Sequence, residues 1–481
     1  MPCRSLSLVA LAVCGALLAA ACGAPRPSLV DEGSAREVAV EEDPEPAPSV
    51  PAGAGSLTLA VGSTWTGDPA DAGPASLTRL VLADLLFEGL TRLDDDGLVI
   101  PGLAESWTVS PDRLTWTFRL APGIVDGAGV TITAADVVRS LDRIAARGPD
   151  DVVATALSAV SGWADRMQGA ADSVAGLTAP ENDVVTISLA VPFEPLLEVL
   201  ASPAFGLTGE AGIGLRTTGG YRVDVGGSIS PVDAVRGGPL IDLLAGEVGA
   251  DALRERRVDW VPLERHEGTD DLPGDVVRVP LDVQVAIVVR LDDPAVRRSL
   301  VDLIDPVALA TSARLASVAP RDPNGVRAAL PASIVVDVPE GPLEVLGLSL
   351  AEQLERGEIA VEVISSVPAA FAERVAAGTA RIYPVVLASG TWRGGAFVDA
   401  LTPGGPGDVI GLESQARAEL VGELLAEVNP TRRATLVDAL RGVALDEGVL
   451  MPVGRLEALV GVSVDGRVLR HRRDGTLDLG L

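Results

Sequence analysis

The stretch from Phe87 to Val138 decides the fold. It contains FEGLTRL at 87–93, PGLAESW at 101–107, SPD at 110–112, LTWTFRL at 114–120, PG at 122–123, DG at 126–127 and TAADVV at 133–138. Apolar residues alternate on both sides of Pro111 and Asp112, which predicts a β-hairpin. Thr133 followed three residues later by Asp136 predicts a capped helix over 134–144. We therefore expect a hairpin followed by a helix that covers its apolar face.

These blocks, in this order, resemble the extracellular solute-binding proteins of the peptide and nickel importer class, known as family 5. Several ordered blocks are far more specific than one motif. Weaker similarities follow in TGGYRV at 218–223, RRVDW at 256–260 and DPAVRRSL at 293–300, the first with Gly220 where the family has proline. The resemblance implies an α/β fold, a two-lobed clamp like a periplasmic binding protein, with mixed sheets and a hinge between the lobes.

The flanking sequence extends the α/β pattern. Residues 56–61 alternate as a strand, and 75–88 have the apolar spacing of a helix. Later segments predict strands over 334–338, 359–363 and 381–387, a helix that begins at the capping box 349–352 and ends at Gly357, and helices over 368–377, 414–428 and 431–445. Alternation of strands and helices predicts a parallel sheet covered by helices.

The N-terminus has the pattern of an export signal. Arg4 precedes an apolar run over 6–21 that ends in Ala-Ala-Ala before Cys22. Small residues before a cysteine resemble the bacterial lipobox, in which that cysteine carries the lipid. Ala19 stands where the lipobox prefers leucine, so simple secretion is the alternative. Cys3 and Cys14 lie inside the signal, and the mature chain then has no pair for an internal disulfide.

The predicted organisation has five parts. Residues 1–21 are the signal peptide, and 22–55, rich in proline, alanine and acidic residues, form a flexible acidic tether. Residues 56–284 form lobe one and 285–448 form lobe two. The resemblance implies that 449–481 return to lobe one.

Composition and motifs exclude several function classes. The formal net charge of −29, without a basic stripe, argues against nucleic acid. The two histidines, His266 and His471, lie in polar surroundings and do not form a metal cluster or a nucleophile–base set. Phosphate-loop and dinucleotide fingerprints are missing from the sequence. We therefore expect a protein that is not an enzyme, with no cofactor and no metal.

Candidate ligand-binding residues lie near the ends of strands. Aromatic residues make up only 3% of the chain, so each tryptophan counts. Trp65 follows the first strand of lobe one and Trp392 follows the third strand of lobe two, where open sheets usually bind ligands; core packing is the alternative for both. The expected ligand-binding residues are Ser63, Thr64, Trp65, Tyr221, Ser389, Thr391, Trp392 and Arg393.

The residue after Trp392 departs from the family pattern. Peptide binders of the family carry an aspartate shortly after a tryptophan here, and that carboxylate pairs with the free amino group of the ligand. This chain has Arg393 instead, and Asp399 comes only further along. We expect a ligand with an anionic or neutral polar group, because a guanidinium repels an ammonium and grips a carboxylate or phosphate. An exposed Arg393 without a role in binding is the alternative.

The resemblance implies an extracytoplasmic lipoprotein that captures a small solute, peptide-like or otherwise polar, and delivers it to the permease of an ABC importer. The expected partners are that solute, the permease and the membrane, which the chain reaches through lipid on Cys22; we expect a monomer on the outer face of the cytoplasmic membrane. The alternative is a degenerate family member that acts as a scaffold or sensory lipoprotein without a role in transport.

Overall fold

The structure is a computed structural model. It describes residues 56–61, 68–71, 77–94, 97–149, 151–207, 217–223, 228–231, 239–245, 249–263, 269, 271–317, 328–341, 343–388, 392, 394–405, 407–463, 470–471 and 477–478. The predicted signal peptide and tether, with Cys22, lie outside these residues. Within the described part, no helix is both long and apolar enough to cross a bilayer.

The strands, in chain order, are β1 (Leu57–Val61), β2 (Thr91–Leu93), β3 (Val99–Pro101), β4 (Ala104–Val109), β5 (Thr115–Leu120), β6 (Leu177–Glu181), β7 (Val184–Ser188), β8 (Tyr221–Val223), β9 (Ile229–Pro231), β10 (Ile241–Ala245), β11 (Trp260–Leu263), β12 (Gly274–Val289), β13 (Ala316–Ser317), β14 (Ser333–Pro339), β15 (Ala360–Ser366), β16 (Ile382–Ala388), β17 (Leu450–Ser463), β18 (Arg470–His471) and β19 (Leu477–Asp478).

The helices, in chain order, are α1 (Leu77–Leu86), α2 (Ala134–Ala145), α3 (Val152–Thr155), α4 (Trp163–Met167), α5 (Leu196–Val199), α6 (Ala250–Arg254), α7 (Pro294–Val301), α8 (Pro306–Ser312), α9 (Glu344–Arg356), α10 (Pro368–Ala376), α11 (Gly395–Leu401), α12 (Gln415–Ala426) and α13 (Pro430–Asp446). Short 3₁₀ turns occur at Pro69–Asp71 and Pro203–Phe205.

One large mixed sheet runs through the molecule, in the order β15-β14-β16-β12-β17-β11-β1-β10-β9-β8, with β13 paired to β17 beside this path. We call the side with β1 and β8–β11 lobe one, and the side with β13–β16 lobe two. A separate sheet, in the order β4-β5-β7-β6, belongs to lobe one. This is the mixed α/β fold that the sequence predicts.

Strands β12 and β17 pass through both lobes. The first part of β12 pairs with the later part of β17, from Gly274 opposite Ser463 to Pro280 opposite Glu457. After a register shift, β12 pairs with β16 on its other edge. We call the segment between Pro280 and Gln284, with the part of β17 opposite it, the crossing. The boundaries predicted at 284 and 448 stay predictions, because both strands are shared by the two lobes.

The hairpin and helix predicted from the deciding stretch are present. Strands β4 and β5 pair antiparallel across the predicted turn. Trp116, Phe118 and Leu120 alternate along β5 and are all buried. Thr133 and Asp136 form a complete capping box at the start of α2, because each side chain accepts the other residue's backbone N–H. Local sequence therefore determines this part of lobe one.

The parallel part of the sheet lies in lobe two. Strand β14 pairs parallel with β15 and with β16, and the helices between them follow the predicted order. One predicted detail is wrong: α9 begins at Glu344, so the supposed capping box at 349–352 lies inside the helix. Leu346 and Leu350 are buried, and their packing extends the helix by more than a turn before those polar residues.

Two large apolar clusters form most of the core. One joins the sheet β4–β7 and α2 with residues of β16 and helices α11–α13. The other joins β1, α1 and β8 with β12, β14 and helices α7–α9. Each cluster contains residues of both lobes, so the lobes of this structure pack against one another as well as sharing strands.

Candidate functional site

The carboxyl ends of β1 and β16 face the crossing from opposite lobes. Strand β16 ends there, because Ala388 pairs with Val283 in β12. Strand β11 runs toward the crossing, since Trp260 pairs with Val462 and Leu263 with Leu459. Strand β1 is parallel to β11, so its carboxyl end has the same direction. The chain segments that follow β1 and β16 therefore begin on the two sides of the junction between the lobes.

Most predicted site residues belong to those two segments. Ser63, Thr64 and Trp65 follow β1, and Ser389, Thr391 and Arg393 follow β16; all six lie outside the described residues. The strand directions show that β1 and β16, which precede these segments, both run toward the junction between the lobes. Contact of these side chains with a ligand stays a prediction.

Trp392 is described and largely enclosed, with 8% of its surface exposed. Its indole contacts the ring of Phe193 edge to face, with 6.4 Å between the ring centroids. Phe193 comes from the segment after the sheet β4–β7, so this aromatic contact joins the lobes. Edge-to-face pairs are a favourable aromatic geometry. Trp392 thus packs partly as a core residue and stands at the interlobe junction.

Tyr221 lies in a different part of lobe one. It belongs to β8, the outermost strand of the large sheet, and only 1% of its surface is exposed. Its hydroxyl has no hydrogen-bond partner among the residues that the structure describes. Burial raises the pKa of that hydroxyl to about 12. The structure therefore separates Tyr221 from the carboxyl ends of β1 and β16, and its contact with a ligand stays a prediction.

Helix α11, which the sequence analysis missed, carries a carboxylate. It is the next helix or strand after β16. Its N-cap residue is Gly394, whose φ of 89° lies in the left-handed region. All its residues are buried except Asp399. Although this side chain is open to solvent, desolvation by the surrounding protein raises the pKa of its carboxyl to about 7.

The segment after β1 is anchored where it reaches Asp68. Arg143 Nη2 donates to Asp68 Oδ1 at 2.8 Å, and Arg147 lies 3.2 Å from Asp68 and 3.0 Å from Asp71. Desolvation raises the pKa of the Asp68 carboxyl, but Arg143, with help from the Ala70 N–H and Arg147, lowers it below the usual value overall. Arg143 lies in the last turn of α2 and Arg147 just after its end, so this network ties the end of the segment to that part of lobe one.

Among the residues that the structure describes, no group of three or more His, Cys, Asp or Glu side chains is arranged to hold a metal ion. Asp399 has no ion pair or hydrogen bond from another described side chain. An enclosed indole and two strand ends directed toward one junction are the kinds of groups that line concave ligand sites.

The fold matches known two-lobed binding proteins. It superposes on the periplasmic murein tripeptide-binding protein MppA in its unliganded open form with a TM-score of 0.70 and 16% identity, over 88% of this chain and 96% of that one. The match to NikA from Brucella suis in complex with Fe(III)-EDTA has a TM-score of 0.62 and 16% identity, over 88% and 99%. Identities this low show the fold alone, a two-lobed periplasmic binding protein.

The sequence comparisons match one part of the chain to a known family. Residues 99–224 match the model of the middle region of bacterial extracellular solute-binding proteins, family 5. The glutathione-binding protein GsiB of Pectobacterium atrosepticum is 37% identical over 147 residues, which are 30% of this chain and 26% of that protein. Its Escherichia coli K12 counterpart is 32% identical over 158 residues, 33% and 28% of the two chains. Over about a quarter of its length the chain is therefore similar to family 5 solute-binding proteins, which are binding proteins rather than enzymes.

Proposed function

We propose that the protein is an extracytoplasmic lipoprotein that captures a small polar solute between its lobes and delivers it to an ABC permease. The observation that carries the proposal is the arrangement of β1 and β16, whose carboxyl ends are both directed toward the crossing, one from each lobe. Ligands of open α/β sheets bind beyond the carboxyl ends of strands. The family match over 99–224 supports the same class of function.

The proposed cycle is binding and release without chemistry. The lobes rotate about β12 and β17 at the crossing, and closure encloses the solute. Burial of the solute as water leaves supplies affinity, and a few fixed polar groups supply specificity. In this proposal Trp65 and Trp392 form apolar walls, while Ser63, Thr64, Ser389, Thr391 and Arg393 supply polar contacts. Tyr221 is retained only as a more distant contact.

The polarity of the solute follows from Arg393. A guanidinium beside Trp392 favours a carboxylate, a phosphate or a neutral polar group over an essential free amine. The formal charge of −29 disfavours anions at long range. Salt screens that field within about 8 Å, whereas an enclosed arginine acts at contact distance.

The alternative is a scaffold or sensory lipoprotein that has kept the fold without solute capture. The departure from the family pattern at 393–395 is the observation that favours it. Under either function, lipid on Cys22 would hold the chain at the outer face of the cytoplasmic membrane, with the acidic segment 22–55 as a tether. We propose that the protein works as a monomer.

Native mass spectrometry of protein purified from its own host tests solute capture. We expect a retained small-molecule mass that is lost on unfolding. Added back at a hundred times its dissociation constant, that compound should stabilise the protein by about 2.7 kcal/mol, seen as a rise in Tm. Absence of a retained mass, together with unchanged Tm across peptides, opines, sugars and metal chelates, would favour the scaffold instead.

A further inference from the structure

The segment that follows the sheet β4–β7 reaches across to lobe two. The backbone N–H of Glu194 donates to the carbonyl of Leu425 in α12 at 2.8 Å. The side chain of Glu194 is held by the guanidinium of Arg113, so this segment is fixed within lobe one. Phe193, one residue earlier, makes the edge-to-face contact with Trp392. A short piece of lobe one therefore contacts two separate elements of lobe two.

An ion pair lies beside these contacts. Arg433 in α13 donates to the carboxylate of Glu198 in α5 and, at 2.8 Å, to the carbonyl of Glu427. The side chains of Arg433 and Glu198 are only 8% and 14% exposed. Burial raises the pKa of the Glu198 carboxyl although Arg433 opposes the change, so the pair is desolvated. Exposed ion pairs contribute little, but a desolvated pair is costly to break on one side.

These contacts join the lobes in addition to the two strands that both lobes share. Strands β12 and β17 join the lobes through the chain, whereas Phe193–Trp392, Glu194–Leu425 and Glu198–Arg433 join them through side chains and one backbone hydrogen bond. A movement of lobe two away from the sheet β4–β7 has to break all three. Trp392 lies four residues beyond the end of β16, so the Phe193 contact acts directly on a predicted ligand residue.

We propose that Phe193, Glu198 and Arg433 are positioning residues that hold Trp392 against lobe one, so that the orientation of this indole reports whether the lobes are in contact. Phe193 contacts the ring edge to face, and the ion pair joins α5, which follows Phe193 in lobe one, to α13 in lobe two. The proposal concerns the arrangement of the protein without solute. Its test therefore needs no ligand and stands apart from the test of solute capture.

Fluorine NMR of the full chain labelled with 5-fluorotryptophan tests this inference. The chain has six tryptophans, and Trp392→Phe assigns the signal of interest. Phe193→Leu and Glu198→Arg should each shift or broaden the Trp392 signal. The signal of Trp260, which is fully buried in the other apolar cluster, should stay in place and show that the fold is intact.

Charge exchange separates positioning from a general loss of structure. Glu198→Arg combined with Arg433→Glu should return the Trp392 signal toward its original position. Arg432→Ala is the matched control. The Arg432 side chain is 63% exposed, and its described ion pairs are with Glu423 in α12 and with Glu427 just after that helix. A Trp392 signal that is unchanged in Glu198→Arg, with the other signals in place, would overturn the proposal. If Glu198→Arg fails to fold, Glu198→Gln provides the same comparison with a smaller change.

Discussion

Ala388, the last residue of β16, lies opposite Val283 in the middle of β12. Because β12 is shared by both lobes, the chain leaves lobe two's sheet at the point where the lobes meet. Trp392 comes four residues later and is followed by α11, which contains Asp399. The predictions below concern that junction, its anchor in lobe one and the N-terminal attachment of the chain.

Replacement of the proposed lipidated cysteine should release the protein from membranes. We expect Cys22→Ala, expressed in the native host, to move from the membrane fraction to the soluble fraction, because the acyl chains of a lipoprotein supply the anchoring energy. Fractionation followed by immunoblotting measures the change. Wild-type protein that is already fully soluble, with the variant distributed identically, would contradict the anchor.

Loss of the guanidinium at 393 should weaken binding of the co-purified solute. We expect Arg393→Ala to cost about 2–5 kcal/mol if the contact is buried and paired with charge, measured by calorimetry. An exposed side chain at this position would contribute almost nothing. Unchanged affinity in Arg393→Ala, or tight binding that requires a free ammonium on the solute, would exclude the proposed polarity.

Asp399 should make stability depend on pH. Its carboxyl has a pKa raised from 3.8 to about 7 in the folded protein, so the folded state retains a proton that the unfolded state releases. This contribution is complete below the unfolded value and is lost as pH rises through about 7. Urea unfolding at pH 5 and pH 8 should therefore show a smaller loss of stability in Asp399→Asn than in the wild type. Equal losses would show that the carboxyl is solvated.

Asp68 should stabilise lobe one through its two arginines. We expect Asp68→Asn to lower the free energy of unfolding by about 1–3 kcal/mol, because Arg143 and Arg147 lose a charged acceptor in a partly buried place. Its pKa is lowered in the folded state, so its contribution is present above the unfolded value and is lost as pH falls through the folded one.

The matched control for this network is an exposed pair. Asp183 lies 2.6 Å from Arg119, and their side chains are 47% and 51% exposed. Asp183→Asn should cost less than about 1 kcal/mol. Denaturant titration at neutral pH compares the two variants, and similar costs would show that the Asp68 network is no more than a surface contact.

Local signals in the sequence were sufficient for much of the fold. The hairpin, the capping box of α2, the cap at Asp293 before α7 and the cap at Ser414 before α12 all depend on residues a few positions apart. The start of α9 was predicted wrongly, because capping chemistry at 349–352 says nothing of the apolar packing that extends the helix to Glu344. Helix α11 was missed because a short apolar run after two glycines has no clear period.

The candidate site could be predicted only in outline. Strand order and the rule for strand ends pointed to the segments after β1 and β16, and the topology agrees with that direction. Tyr221 came instead from the resemblance at 218–223; its side chain is buried, and its contact with a ligand stays a prediction. The Glu198–Arg433 pair joins residues 235 positions apart. Contacts of that kind depend on how the lobes pack, so a single sequence carries no local signal for them.

Strand β17 also determines when the molecule can finish folding. It lies between β12 and β11 in the large sheet, yet it comes from Leu450–Ser463, near the end of the chain. A chain that is still being synthesised has neither the middle of its large sheet nor the second of the two strands that join the lobes. Pairings between residues so far apart in sequence form slowly. The large sheet therefore closes only after β17, the last of its strands to be synthesised, has been added.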